Sequence, residues 1–127
     1  MEIYVHVPFC VRKCPYCDFY SGPADEETIR DYFDRVKREI GECVFRDEPV
    51  ESVFFGGGTP SLPDETEIAG ILEKLRETFV FTDDPEITLE ANPGTVTEEK
   101  LRVYREAGFN RLSIGLQSGD DETLKKI

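Results

Sequence analysis

The stretch Val50-Glu-Ser-Val-Phe-Phe-Gly-Gly-Gly-Thr-Pro-Ser61 sets the architecture of this chain. Residues 50–55 are a short apolar run bounded by Pro49 and Gly56, the signature of a strand buried on both faces, as strands of parallel sheets are. Parallel strands cannot be joined by a tight turn and need a crossover, usually a helix. A helix should therefore flank this run on either side, and both are legible. Upstream, Ile29, Tyr32, Phe33, Val36 and Ile40 recur at helical spacing behind Asp25, Glu26 and Glu27, acidic groups that suit a helix N-terminus. Downstream, Ile68, Ile71, Leu72, Leu75 and Phe79 form a second stripe with Asp64 as its N-cap.

The same alternation fills the rest of the chain. Ile3, Val5 and Val7 mark a strand over residues 2–7 that Pro8 ends. Residues 87–91 read as a third strand, and Thr97 caps a helix carrying Leu101, Tyr104 and Ala107, closed by Gly108. Residues 112–116 read as a fourth strand, and Asp120-Asp121-Glu122 opens a helix that the chain does not finish. No linker or low-complexity segment interrupts the series. The order β-α-β-α-β-α-β-(α) implies an α/β fold with a parallel sheet. An eight-unit barrel takes about 250 residues, roughly 31 per unit, so 127 residues hold about four. Four units make either an open doubly wound sheet or about half of a closed barrel, and the unfinished helix favours the second. The last strand is then an unpaired edge, and the isolated piece should be marginally stable.

Composition narrows the function. Fifteen basic against 27 acidic residues give a net charge of −12, which argues against nucleic acid or an anionic membrane as a partner. At 39% hydrophobic residues the chain can still build a core. No apolar run approaches the ~20 residues of a membrane span, and no leader-like segment opens the sequence, so a cytoplasmic location is expected. Cys10, Cys14 and Cys17 cluster within eight residues while Cys43 stands alone. Clustered thiols without a secretion signal point to metal or redox chemistry rather than to a disulfide scaffold.

Ligands of parallel α/β folds bind at the carboxyl ends of the strands, and the unusual residues here fall at those ends. The cysteine loop follows the first strand, Gly56-Gly57-Gly58-Thr59-Pro60-Ser61 the second, Glu90-Ala91-Asn92-Pro93 ends the third and Gln117-Ser118 the fourth. One shared cavity is expected. Three thiolates can converge on one metal centre, with Arg12 and Lys13 beside them to favour the charged form. Structural zinc usually takes four closed ligands, and His6, flanked by Val5 and Val7, reads as a half-buried packing residue. Three thiolates leave a coordination position open, which suits an iron–sulfur cluster that binds its substrate directly; zinc and inert thiols stay open as alternatives. The glycines fit neither phosphate-loop pattern, because no Gly-Lys-Ser/Thr follows and Ser61 replaces the third glycine of the dinucleotide motif. They leave backbone bare for close approach by a ligand, or simply make a tight turn. Glu90, the acidic residue of an apolar strand, needs a partner such as a ligand amino group or an internal arginine. Gln117 can bond sugar hydroxyls or loop backbone, and Cys43 reads as inert core.

Cys10-x3-Cys14-x2-Cys17, with Tyr16 before the last cysteine, resembles the cluster motif of the radical S-adenosylmethionine (radical SAM) family. Tyr4-Val-His-Val-Pro-Phe-Cys10, Gly56-Gly-Gly-Thr-Pro-Ser61, Glu90-Ala-Asn-Pro93 and Ser113-Ile-Gly-Leu-Gln117 resemble the branch that contains oxygen-independent coproporphyrinogen III oxidase and its haem-chaperone relative. The resemblance spans the chain. It implies that residues 1–127 are the N-terminal part of a partial (β/α)6 barrel. It further implies that Cys10, Cys14 and Cys17 hold a [4Fe–4S] cluster whose fourth iron is chelated by S-adenosylmethionine. Tyr4, Tyr16, Gly57, Gly58 and Thr59 match positions lining the cofactor site, and Glu90 and Gln117 match positions contacting it. One electron, from a donor the sequence does not identify, would cleave the sulfonium C–S bond to methionine and a 5′-deoxyadenosyl radical. The oxidase carries a fourth cysteine two residues beyond the third, where this chain has Phe19 after Asp18. The chaperone-like, haem-binding type is therefore favoured over the oxidase, with a zinc-stapled structural module as a third reading.

Overall fold

The computed structural model describes residues 1–126. The elements follow in the order β1 (Glu2–Val7), α1 (Glu26–Glu42), β2 (Val50–Gly57), α2 (Glu65–Thr78), β3 (Phe81–Ala91), α3 (Glu98–Ala107), β4 (Arg111–Ile114) and a single helical turn, α4 (Asp121–Leu124). Each helix starts where a short polar side chain satisfies a free N–H. Asp25 accepts from Thr28 N at 2.8 Å, Asp64 from Thr66 N at 2.9 Å, Thr97 from Lys100 N at 3.2 Å and Asp120 from Thr123 N at 2.8 Å. Helix α3 ends on Gly108, whose φ of 108° suits only glycine without strain.

All strand pairs are parallel and the sheet order is β1-β2-β3-β4. This order resolves what the sequence left open. A doubly wound sheet reverses direction at a switch point, whereas here every crossover advances one place, as in a barrel wall. The helices accordingly lie on one face. Phe33 of α1, Ile68, Ile71, Leu72 and Leu75 of α2 and Tyr104 of α3 join Val5, Val7, Val53, Phe55, Ile87 and Leu89 in a single buried cluster. The other face carries the alternate residues. Tyr4 stands opposite Phe54, Phe54 opposite Thr88 and Thr88 opposite Arg111; one step along, His6 faces Gly56 and Glu90 faces Ser113.

Two strands depart from the sequence reading. β3 begins at Phe81 rather than at residue 87, with a register shift against β2 between Val50 and Ser52. Asp83, Asp84 and Pro85 mask this first half, because none of them favours a strand. β4 ends at Ile114, two residues short of the expectation, since Gln117 turns the chain with a positive φ of 64°. A short 3-10 turn at Pro93–Thr95, which the sequence did not announce, is held by Asn92 accepting from Gly94 N at 3.0 Å. Leu112 and Ile114 of β4 remain exposed on the helix side. Among the described residues no helix is long and apolar enough to cross a membrane.

Candidate functional site

The loops after β1 and β2 are laced together by backbone. Gly58 N donates to Val7 O and Thr59 N to Phe9 O, each at 2.8 Å. The cysteine loop closes on itself where Cys10 N donates to Gly22 O at 3.0 Å and Gly22 N to Pro8 O at 2.9 Å. Within it, Lys13 Nζ donates to Phe19 O. On the far side, Ser61 Oγ accepts from Asn92 N at 3.1 Å and bonds Thr95 Oγ1, joining the glycine loop to the end of β3.

These loops enclose a cavity of about 610 Å³ at the carboxyl ends of the strands. The loop after β1 and the ends of β2, β3 and β4 with the segments that follow them form its wall, the convergence that the sequence predicts. Cys10, Cys14, Tyr16 and Cys17 line one side. Gly57, Gly58, Thr59, Glu90 and Gln117 line the rest. Tyr4, also expected here, does not line the cavity. It lies below it on the helix-free sheet face, its ring stacked on Phe54 with centroids 6.2 Å apart. Burial, and after it the Glu90 charge, raises the Tyr4 phenol above its ordinary value. Gly56 makes this crowding feasible: a Cβ there would stand 2.8 Å from Phe54 Cε1 and 3.0 Å from both Glu90 Oε2 and Tyr4 Cε2. Glu90 Oε2 accepts from Gly57 N at 3.3 Å; among the described residues it makes no ion pair with an arginine or lysine, so the internal-arginine partner is not found. A carboxylate held by backbone on a cavity wall is free to meet a ligand cation.

His6 was underread. It does not merely pack: Nδ1 bonds Tyr4 Oη at 3.0 Å and Nε2 bonds the Tyr20 carbonyl at 2.9 Å. A carbonyl only accepts, so Nε2 carries the proton and Nδ1 receives the Tyr4 hydroxyl in the neutral ring. His6 thus ties β1 to the last turn of the cysteine loop. Only its place two residues after Tyr4 could have hinted at this. Cys43 caps α1 and packs partly buried against the core, as expected of an inert thiol.

The donor set and the cradle around it can be tested for a cluster. Cys10, Cys14 and Cys17 are all free and partly accessible. Among the described residues, no three His, Cys, Asp or Glu side chains gather closely enough to hold one ion; in a cluster each of the three thiolates would bind a different iron, so they need not converge on one point. Thr59 Oγ1 donates to Cys10 Sγ at 3.6 Å, the type of contact that tunes iron–sulfur sites. A Cβ on Gly58 would come within 2.9 Å of the same sulfur, so glycine there leaves the space beside Cys10 open. The residues fit the group.

Comparison with known proteins agrees. The heme chaperones HemW of Haemophilus influenzae and Escherichia coli are each 40% identical over all of this chain, covering 35% and 34% of theirs. Anaerobilin synthase of Escherichia coli O157:H7 is 36% identical over 98% of this chain. A solved structure, coproporphyrinogen III oxidase (HemN) from Escherichia coli, described as a radical SAM enzyme, matches with a TM-score of 0.90 and 32% identity over 98% of this chain and 29% of its own. The chain spans about a third of the length of the heme chaperones it matches. Residues 4–127 match the radical SAM superfamily, and with the cysteine motif on one wall of a four-strand cavity the chain belongs to that superfamily.

Proposed function

We propose that the complete protein is a radical SAM protein of haem and porphyrin metabolism, of the haem-chaperone type, and that residues 1–127 form the first part of its partial barrel. The observation that carries the proposal is the meeting of four strand ends on one cavity, with the cysteine loop facing Gly57, Gly58 and Glu90. Cys10, Cys14 and Cys17 would hold a [4Fe–4S] cluster and leave one iron to the amino and carboxylate groups of S-adenosylmethionine. When bound, that cluster supplies the single electron that cleavage of a sulfonium C–S bond requires, itself refilled by an external donor. The chain's own groups bind and orient. Glu90 would pair with the ligand amino group, and the bare backbone of Gly57 and Gly58 would admit close approach. Thr59 donates to the Cys10 sulfur, Tyr16 borders the cysteine side, and Gln117, on the cavity wall, would bond ribose hydroxyls. Tyr4, bonded through its hydroxyl to His6 at 3.0 Å, would border the site from the β1 side.

The chaperone type is supported by Asp18-Phe19 after Cys17 and by the 40% identity to two heme chaperones. The oxidase reading is favoured by the solved relative. Complete protein reconstituted anaerobically with iron and sulfide should take up haem and pass it to an apo-acceptor, without decarboxylating coproporphyrinogen III. Porphyrin product formed together with 5′-deoxyadenosine would establish the oxidase instead. Stoichiometric zinc without labile sulfide in anaerobically purified protein would overturn both in favour of a zinc-stapled module.

A further inference from the structure

We propose that Lys100, on the outer helix α3, positions the glycine-rich loop and thereby sets the affinity for S-adenosylmethionine; the inference rests on the radical SAM reading above. Lys100 Nζ donates to Pro63 O at 2.7 Å, Ser61 O at 2.9 Å and Leu62 O at 3.4 Å. Its side chain is only 18% exposed, and Glu65 Oε2 lies 3.9 Å away to balance the charge. An ammonium has three donors and no acceptor, and one taken out of water must have them satisfied. Here all three acceptors are successive carbonyls of one turn, so the cation fixes the path of residues 61–63.

That turn is the continuation of the cavity wall. Leu62 N donates to Thr59 O at 2.9 Å, and Ser61, with no exposed surface, is bonded through its hydroxyl to Asn92 N. The glycine loop is thus held from two sides. Val7 O and Phe9 O grip Gly58 and Thr59 from the cysteine side, while Lys100 and Asn92 grip the turn from the β3–α3 side. Removing the ammonium leaves three carbonyls without their shared donor and frees one side. Gly57, Gly58 and Thr59 then lose their fixed distance from Glu90 and the cysteine loop. Lys100 touches no ligand and is a positioning residue. A hydrogen bond from a charged group is worth about tenfold or more in an equilibrium, and a weakening of that size is expected here.

The test compares wild type, Lys100→Met and Lys100→Arg in the complete protein, purified without oxygen and carrying its cluster. K100M should keep the iron and sulfide content. It should bind S-adenosylmethionine about tenfold more weakly by equilibrium dialysis, while 5′-deoxyadenosine formation at saturating S-adenosylmethionine stays within about twofold. The amides of Gly58, Thr59 and Leu62 should exchange faster in K100M even in cluster-free protein, a readout that needs no activity. K100R, which keeps charge and reach, should restore affinity and exchange. Unchanged affinity and exchange in K100M overturn the inference, and so does failure of K100R to rescue. Should K100M not accumulate, Lys100→Gln is measured the same way, and wild-type values there also overturn it. Wild-type protein that holds its cluster but binds no S-adenosylmethionine overturns the functional reading as well; normal wild-type binding with an unaltered K100M overturns this inference alone.

Discussion

Gly58→Ala is the sharpest single test of how the cavity is built. A Cβ at this position would stand 2.7 Å from Phe9 O, 2.9 Å from Cys10 Sγ and 3.0 Å from Ser21 Cβ. The closest of these is backbone and cannot swing aside. Phe9 O is held by Thr59 N at 2.8 Å, and the next residue is held where Cys10 N meets Gly22 O at 3.0 Å. Overpacking of this kind costs about 1–3 kcal/mol. Parting the Phe9–Thr59 bond to relieve it costs about 1 kcal/mol more. The expected loss is therefore about 2–4 kcal/mol, a large share of the roughly 5–15 kcal/mol that holds a typical domain together. Urea denaturation of the complete protein should read it, and iron per chain should fall because Cys10 is displaced. Gly22→Ala is the matched control in the same loop: a Cβ there meets nothing within 4 Å, so stability should change by no more than about 0.5 kcal/mol. A G58A protein that unfolds with wild type, within about 0.5 kcal/mol, and carries full iron would refute the close-approach argument.

Other perturbations have defined outcomes. The Tyr104 hydroxyl is buried without a partner, and burial, then the Glu65 and Asp64 charges, raises its pKa far above the ordinary value. Tyr104→Phe should thus be neutral or stabilising by up to about 1 kcal/mol in thermal unfolding; a loss of that size would show that the hydroxyl has a partner. Asp64 is held below its ordinary value of 3.8 by the Thr66 hydroxyl and then the Thr66 N–H. A depressed folded pKa means that its stabilisation is present above about pH 3.8 and fades as pH falls through the lower folded value. Asp64→Asn should flatten that part of an acid titration monitored by circular dichroism, and an unaltered curve would remove Asp64 from the acid response. Cys14→Ser should abolish labile sulfide, whereas Cys43→Ser should leave it intact; equal losses would break the assignment of Cys43 as inert.

Most of the architecture was written in local signals. The span of β1 was readable from its alternation and Pro8, and the N-caps at Asp64 and Thr97 because each depends on one short side chain next to an apolar period; at α1 the acidic run marked the start without singling out Asp25 as the cap. The first half of β3 was hidden because pairing with β2, not its own residues, makes Asp83, Asp84 and Pro85 extended. The end of β4 depended on Gln117 adopting a left-handed turn, a conformation that glutamine does not advertise. The site divided the same way. Its wall segments announced themselves at strand ends, so their convergence followed from topology. The bond of Tyr4 to His6 was not legible, because sequence gives the strand but not the pairing of side chains along its face. The roles of His6 and Lys100 stayed invisible, since their partners are backbone carbonyls 14 and roughly 40 residues away, and carbonyls leave no mark in a sequence.

The sequential strand order also bears on synthesis. About one hundred residues separate Cys17 from Gln117, and the ribosome adds about 5–20 residues per second. For several seconds, then, a nascent chain shows three thiols with no chamber around them. Metal or oxidant arriving in that interval meets bare sulfur, so productive loading belongs after the fourth strand has emerged. Ribosome-arrested chains ending before residue 90 should accordingly be alkylated at these thiols faster than chains extending well past residue 117.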